Sequence, residues 1–313
     1  MSIVNINSGK TTLIGIVTFG NLPFTKLAIE SIEETVTKPY ELFLVVGKPG
    51  DTATKNWLTE KRISHIVHEK NMGFPSSVND IYDYAWKRNN FDNLVLMGND
   101  VVALPYAIDS LINASNTTDN IWISAEEVDV RTYCYWKPEM KKYFQGANYI
   151  FKDYNARPWK EFPLDLSPDF EISPDISLKD CHNLSIFKRE IFDILGYIDV
   201  NFYPAYFEDN DFVRRALLEG TIQERSKFLQ GTRYFHFWSR TIKQETGGST
   251  HIFFKNNRAY YIKKWGGEPG AERYALPFNG VPHALGQDIV LDPVINITSR
   301  EQEDAIVDYW LRK

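Results

Sequence analysis

Three carboxylates fall within four positions at Glu208-Asp209-Asn210-Asp211, after the aromatic pair Tyr206-Phe207. They precede Phe212-Val213-Arg214-Arg215-Ala216-Leu217-Leu218, an amphipathic pattern that predicts a helix closed by Gly220. An Asp or Asn at a helix start caps it, because the side-chain oxygen accepts from free first-turn amides. One acid suffices for that. Three neighbouring acids repel one another unless a cation, a hydroxyl donor or a proton is shared between them, which marks the stretch as a functional site and not a cap alone.

A further acid, Asp100, stands in Gly98-Asn99-Asp100-Val101, directly after the apolar run 91–97. That run reads as a buried central strand, and ligands of open α/β sheets collect at strand carboxyl ends. A strand-ending turn also favours Asn and Asp, so both readings stand. The elements that must position these acids are legible upstream. Residues 13–19, 40–46 and 63–68 read as strands, 25–35 and 53–61 as helices, and strand–helix–strand order implies right-handed crossovers in a parallel sheet. After the third strand, Asn71-Met72-Gly73-Phe74 makes a glycine turn feeding a helix with Val78, Ile81 and Ala85 on one side. Its amides could face an anion, or it is a plain β-to-α turn.

Composition bounds what such a site could serve. The chain has 313 residues, 43% hydrophobic and 24% charged, which is globular and large enough for a substantial core. Aromatic residues reach 14%, and flat rings suit sugar faces and bases as well as core packing. A formal net charge of −6 supplies no global attraction to polyanions. Two cysteines, Cys134 and Cys181, make neither a disulfide framework nor a zinc spacing, and with no leader and no long apolar run the expectation is a cytoplasmic protein without a membrane span.

Between the two acid clusters, residues 131–180 interleave Tyr133, Tyr135, Trp136, Tyr143, Tyr149 and Trp159 with charges and with Pro158, Pro163, Pro168 and Pro174. The prolines exclude a long helix, so the segment reads as an extended insertion or as a loop pinned by its rings. The polar, glycine-rich stretch 240–250 suits a mobile loop, from which Arg240 and Lys243 could reach phosphate oxygens. Residues 267–313 begin as loop and end in a helix at 301–311, whose apolar side either packs on the core or makes an oligomer contact.

The order of these pieces resembles glycosyltransferase family 2. Similar to that family's motifs are Thr18-Phe19-Gly20-Asn21 at the first strand end, Asn71-Met72-Gly73-Phe74 with Asn79, Gly98-Asn99-Asp100, the stretch 196–211, His236 in Tyr234-Phe235-His236-Phe237-Trp238, and Tyr260-Tyr261-Ile262-Lys263-Lys264-Trp265-Gly266. The likeness spans residues 12–266. It implies the GT-A fold, a Rossmann-like, mostly parallel sheet flanked by helices, with the aromatic-rich insertion and a C-terminal extension. A catalytic domain at 1–266 would divide into a nucleotide-sugar half, 12–110, and an acceptor half, 111–266, with 267–313 packed on the core.

What the resemblance implies for function is a metal-dependent, inverting, hexosyltransferase-type enzyme using a nucleotide diphosphate sugar. Asp100 and His236 would hold Mn2+ or Mg2+ on the diphosphate, Asp209 would be the general base on the acceptor hydroxyl, and Glu208 is its closest competitor for that role. Thr18, Asn21, Asn71, Gly73, Asn79, Asn99 and Lys243 would line the donor site, while Asp211 caps or braces the helix and Arg214 or Arg215 pairs with an acid. A buried histidine satisfied by a backbone carbonyl is the alternative for His236. The chain departs from the family pattern at Gly98, which replaces the first acid of the metal motif. It departs again at Gly47, followed by Lys48 and then Asp51, where an Asp usually helps to read the base. The expected acceptor is a saccharide or glycan. A hydroxymethylated base in DNA is a second possibility that the acidic net charge disfavours, and a non-catalytic nucleotide-sugar binder is a third.

Overall fold

The computed structural model describes residues 11–128, 138–139, 144–145, 150–151, 157, 160, 171–173, 183–237, 252–285, 289–291 and 300–312. Alternating strands and helices open the chain: β1 (Thr12–Thr18), α1 (Leu22–Thr35), β2 (Glu41–Val46), α2 (Thr52–Lys61), β3 (Ser64–Val67), α3 (Gly73–Tyr82), a π-helical turn (Asp83–Arg88) and β4 (Asn93–Gly98). Then come β5 (Val101–Ala103), α4 (Ala107–Thr117), β6 (Trp122–Glu127), the short pair β7 (Phe144–Gln145) and β8 (Ile150–Phe151), β9 (Glu171–Ile172), β10 (Leu184–Lys188) and α5 (Arg189–Leu195). The remainder comprises α6 (Glu208–Leu218), α7 (Gly220–Glu224), β11 (Ser226–His236), α8 (Ile252–Trp265), β12 (His283–Leu285), β13 (Ile289–Leu291) and α9 (Arg300–Leu311).

The main sheet runs β3-β2-β1-β4-β10-β6-β11-β5, with β9 on β11. Strands β3, β2, β1 and β4 are mutually parallel; β10 is antiparallel to both β4 and β6, and β6 is parallel to β11. Six strands therefore point one way, and the carboxyl ends of β1, β2, β4 and β6 share one edge. Alternation along the strands divides the core. On one face Ile14, Ile16, Leu44, Val46, Val95 and Met97 pack against Ala28, Ile29 and Ile32 of α1 and Leu111 of α4. On the other, Leu13, Phe43, Val45, Leu94 and Leu96 meet Val78 and Ile81 of α3 and Phe212 and Ala216 of α6. Each fully buried side chain of this kind contributes about 1.5–3 kcal/mol. A third cluster joins Val200, Phe202 and Phe207 to Tyr260, Tyr261 and Trp265 of α8 and to Phe278, Leu285, Leu291 and Ile306, so the last helix packs on the core.

Two local expectations fail. The helix carrying the acids starts at Glu208, not at residue 212, and its N-cap is Phe207 in a left-handed conformation with no capping side chain. Asp209, Asn210 and Asp211 thus lie inside the first turn, and none of them is the cap. Gly220 does not close that helix either: Glu219 ends it in an extended conformation and Gly220 opens α7.

Candidate active site

The shared carboxyl edge gathers the first group of expected residues. Thr18, fully buried at the end of β1, lies 2.8 Å from the Thr25 hydroxyl of α1, and the Asn99 amide reaches the same hydroxyl at 3.4 Å. This short polar chain ties the ends of β1 and β4 together through α1. Asn21 sits between them at φ 58, making the left-handed turn from which α1 begins, with its side chain not used for capping. At the end of β2, Gly47 donates its amide to the Thr18 carbonyl, and the Lys48 side chain lies over Gly20. Asp51, the nearest acid to the missing base-reading position, caps α2 by accepting from the Thr54 amide at 3.1 Å.

Asp100 lies in the two-residue link between β4 and β5, the last strand of the sheet's pairing order. There β5 pairs with β11, setting Val101 opposite His236, and Phe237 donates its amide to the Asp100 carbonyl. His236 Nε2 lies 3.4 Å from Asp100 Oδ1, and Nδ1 lies 3.6 Å from Glu127 Oε2 at the end of β6. Burial alone would lower the imidazole pKa, but the flanking charges of Asp100 and Glu127 and their hydrogen bonds raise it to about 10 while no cation is bound, and a cation that took a ring nitrogen as ligand would displace that proton. The buried-histidine alternative satisfied by a carbonyl does not describe this ring, which two carboxylates hold. Glu127 was missed in the sequence, although it closes a strand just as Asp100 does. The glycine at 98 has a local cause: a Cβ there would sit 3.3 Å from Asp100 Oδ1 and 3.1 Å from Val101. A larger residue would press on the one carboxylate the turn retains.

Carboxylate oxygens with an imidazole nitrogen are a donor set that Mn2+ accepts. Asp100, Glu127 and His236 provide those donor types, but the ring bridges the two acids, and among the described residues no three such side chains are arranged to hold a metal ion by themselves. The residues fit a cation that takes part of its coordination from a ligand's phosphates.

The acid stretch stands on the other side of the β3–α3 turn. Gly73 adopts φ 80, and a Cβ on it would lie 3.0 Å from the Tyr203 ring and 3.1 Å from the Pro204 carbonyl, so only glycine fits. The Phe74 amide donates to that carbonyl at 2.7 Å, and the Gly73 amide to Asn71 Oδ1 at 2.9 Å. The two first-turn amides that an anion would need here are thus already donated within the protein, and Asn71 and Gly73 instead join the β3–α3 turn to the segment leading into the acids. Asn79 departs furthest from expectation. It is fully buried, its amide donating to the Ile198 carbonyl and to Glu303 of α9, its oxygen accepting from the Ile198 amide. Every hydrogen-bonding group it has is used in this joint. Lys243 and Arg240 lie outside the described residues, as do Trp136 and Trp159 and most of the segment 131–180.

The three acids of the stretch occupy different environments. Asp211 is fully buried between Arg215 Nε at 3.0 Å, Lys264 Nζ at 2.6 Å and the Trp265 indole at 2.8 Å, so it braces the helix and Arg215 is its partner. Glu208 is 7% exposed with Oε2 lacking a hydrogen bond, and burial first, then the charge of Asp209, raise its pKa well above the usual carboxyl range. Asp209 is more open, accepting from the Asn210 amide at 2.7 Å. A buried acid with a raised pKa beside a less buried carboxylate is the kind of split that assigns different roles to two adjacent groups.

No protein-family model and no curated protein matches the sequence. Solved structures do. GalNAc-T7, determined with UDP, GalNAc and Mn2+, superposes with a TM-score of 0.50 at 14% identity over 82% of this chain and 48% of that one. The fold is GT-A. A mannosyltransferase from Pyrobaculum calidifontis in complex with GDP-Man and Mn2+ gives a TM-score of 0.49 at 16% identity, over 83% of this chain and 66% of that chain. TarS from S. aureus gives 0.48 at 13% identity, covering 73% and 60%. At these identities the likeness is one of fold, and the chain spans about half the length of GalNAc-T7. In this GT-A sheet, Thr18, Asn99 and Asp100 all stand at the edge where ligands of open α/β sheets collect.

Proposed function

We propose that this protein is a metal-dependent, inverting glycosyltransferase that moves a sugar from a nucleoside-diphosphate sugar to a hydroxyl of a saccharide acceptor. The observation that carries the reading is the division within the acid stretch, a buried Glu208 whose pKa burial raises beside a less buried Asp209, on a GT-A fold whose sheet edge brings Asp100 to His236. Asp100 and His236, with Glu127 adjacent, would hold a divalent cation on the donor diphosphate. When bound, that cation neutralises the charge developing on the leaving group. The chain's own residues do the remainder. Asp209 accepts the proton of the acceptor hydroxyl, which is too weak an acid to attack unaided. Glu208, buried and turned inward on the helix, is less available as base. Thr18, Asn21 and Asn99 border the donor side.

Nucleotide selection is read by thermal shift: UDP and GDP with manganese should raise the melting temperature, since a ligand that binds only the folded state stabilises it by mass action. Asp209→Asn keeps shape and hydrogen bonding but loses basicity, so nucleotide affinity should be unchanged while turnover of the nucleotide sugar falls on the order of 10²–10⁴-fold. Parent-level turnover in that variant, at an unchanged melting temperature, would remove Asp209 from the mechanism.

A further inference from the structure

Two consecutive non-glycine residues immediately before the acids, Tyr206 at φ 84 and Phe207 at φ 71, occupy the left-handed region. Side chains with a Cβ resist that conformation, so the turn persists only where its surroundings over-determine it. This turn launches α6 without a capping side chain and sets the direction in which Glu208 and Asp209 leave the backbone.

What holds the turn is one face of α8. Asn257, fully buried, donates from Nδ2 to the carbonyls of Ala205 at 2.8 Å and Tyr206 at 3.2 Å. One turn earlier, Phe254 packs edge-on to Tyr206 and against Phe207, and one turn later Tyr261 packs on Phe207. Further along the same stripe, Lys264 bridges Asp211 at 2.6 Å and Asp199 at 2.8 Å, both contacts fully buried. Residues 254, 257, 261 and 264 recur at helical spacing, so a single face of α8 grips the acid stretch on both sides of Glu208 and Asp209. Asn257 is the polar member that touches the strained turn itself. Its Oδ1 is buried without a hydrogen bond. A position selected for packing alone would hold an apolar side chain, because an unsatisfied buried carbonyl opposes folding. The asparagine is accounted for by its two donated hydrogen bonds.

We infer that Asn257 is a positioning residue: by holding the Ala205 and Tyr206 carbonyls it fixes the left-handed turn that aims Glu208 and Asp209. That the aimed groups act on an acceptor hydroxyl rests on the glycosyl-transfer reading; the clasp itself does not.

The test uses the full chain. Infrared spectra of the parent minus Glu208→Gln isolate the protonated Glu208 carboxyl band, whose titration reports how buried Glu208 is, without any substrate. Asn257→Ala should move that titration toward the ordinary carboxyl range as the turn relaxes. Adding Tyr206→Gly should restore it, because glycine adopts positive φ without strain. In parallel, turnover of UDP-N-acetylgalactosamine and GDP-mannose with manganese should fall roughly ten- to hundredfold in Asn257→Ala, with UDP and GDP affinity within about twofold of the parent. An unchanged Glu208 titration in Asn257→Ala overturns the inference. So does a double variant further from the parent than the single one, since that is what loss of the Tyr206–Phe254 contact predicts if Asn257 only packs. If the infrared arm behaves as expected while the parent turns over neither sugar nucleotide, the clasp stands and the glycosyl-transfer reading is the part that fails. Should Asn257→Ala not fold, the same titration on Asn257→Ser, with and without Tyr206→Gly, decides the matter.

Discussion

Replacing Glu208 by glutamine tests the division between the two acids through stability, before any substrate is known. Glutamine has the shape of a protonated glutamate, so at low pH the two proteins should melt together. Glu208 is 7% exposed, its Oε2 has no hydrogen-bond partner, and the Asp209 charge stands beside it; burial and that charge together raise its pKa. A carboxyl whose folded pKa is raised contributes its stability fully below the unfolded value, near 4.3, and loses it as pH rises through the folded value. The parent should therefore lose stability relative to Glu208→Gln across that window, at a limiting slope of about 1.4 kcal/mol per pH unit. The gap should widen with each pH unit between the unfolded and the folded value and level off once the folded value is passed. Calorimetry of both proteins from pH 4.5 to 8 reads the difference directly. A difference that stays flat with pH, or one in which the variant weakens as pH rises, would show that Glu208 ionises normally and that no proton is held at this position.

Two other outcomes bear on the donor side and on the frame behind it. Asp100→Ala should remove the manganese-dependent part of UDP or GDP binding, about tenfold or more in Kd by calorimetric titration, equivalent to about 1.4 kcal/mol; equal affinities with manganese present would leave Asp100 without a metal role. Asn79→Ala should lower stability by about 3 kcal/mol in chemical denaturation, because it strands the buried amide and carbonyl of Ile198 and one oxygen of Glu303. Nucleotide affinity should not change; a large loss of UDP or GDP affinity at parent stability would return Asn79 to the donor site.

The parallel half of the fold was legible because each strand is a short apolar run and each crossover helix carries its own period, as in Leu13 to Thr18 followed by Leu27, Ala28 and Ile32. The antiparallel insertion of β10 between β4 and β6 was not, since a five-residue apolar segment says nothing about its partners or direction. At the site, Asp100 was found by its position at a strand end, and the same criterion applied to Trp122–Glu127 would have found Glu127. Asn79 was misplaced for a different reason. An asparagine in the middle of an amphipathic helix looks available for a ligand until the distant segment that uses it, Ile198 and Glu303, is folded against it. Asn257 and Lys264 were invisible as positioning groups because their partners are backbone carbonyls and buried carboxylates brought together only in three dimensions.

The acid cluster itself shows how one error of position hides a division of labour. With the helix placed at residue 212, the local pattern alone does not separate the surroundings of Glu208, Asp209 and Asp211. Once the helix starts at Glu208, its geometry separates them: 208, 211 and 215 fall at i, i+3 and i+7 on one inward stripe, while 209 is turned about 100° away. The inward stripe is buried, so each of its charges needs an answer. Asp211 finds three, in Arg215, Lys264 and Trp265. Glu208 finds none for Oε2, and burial together with the Asp209 charge raises its pKa, which disfavours its charged form. Asp209, off the stripe, is less buried than either. The charges of the Asp211 network answer one another, and a buried charge cluster of this kind is often matched or exceeded in stability by apolar residues of equal volume, while removal of one partner leaves the others uncompensated.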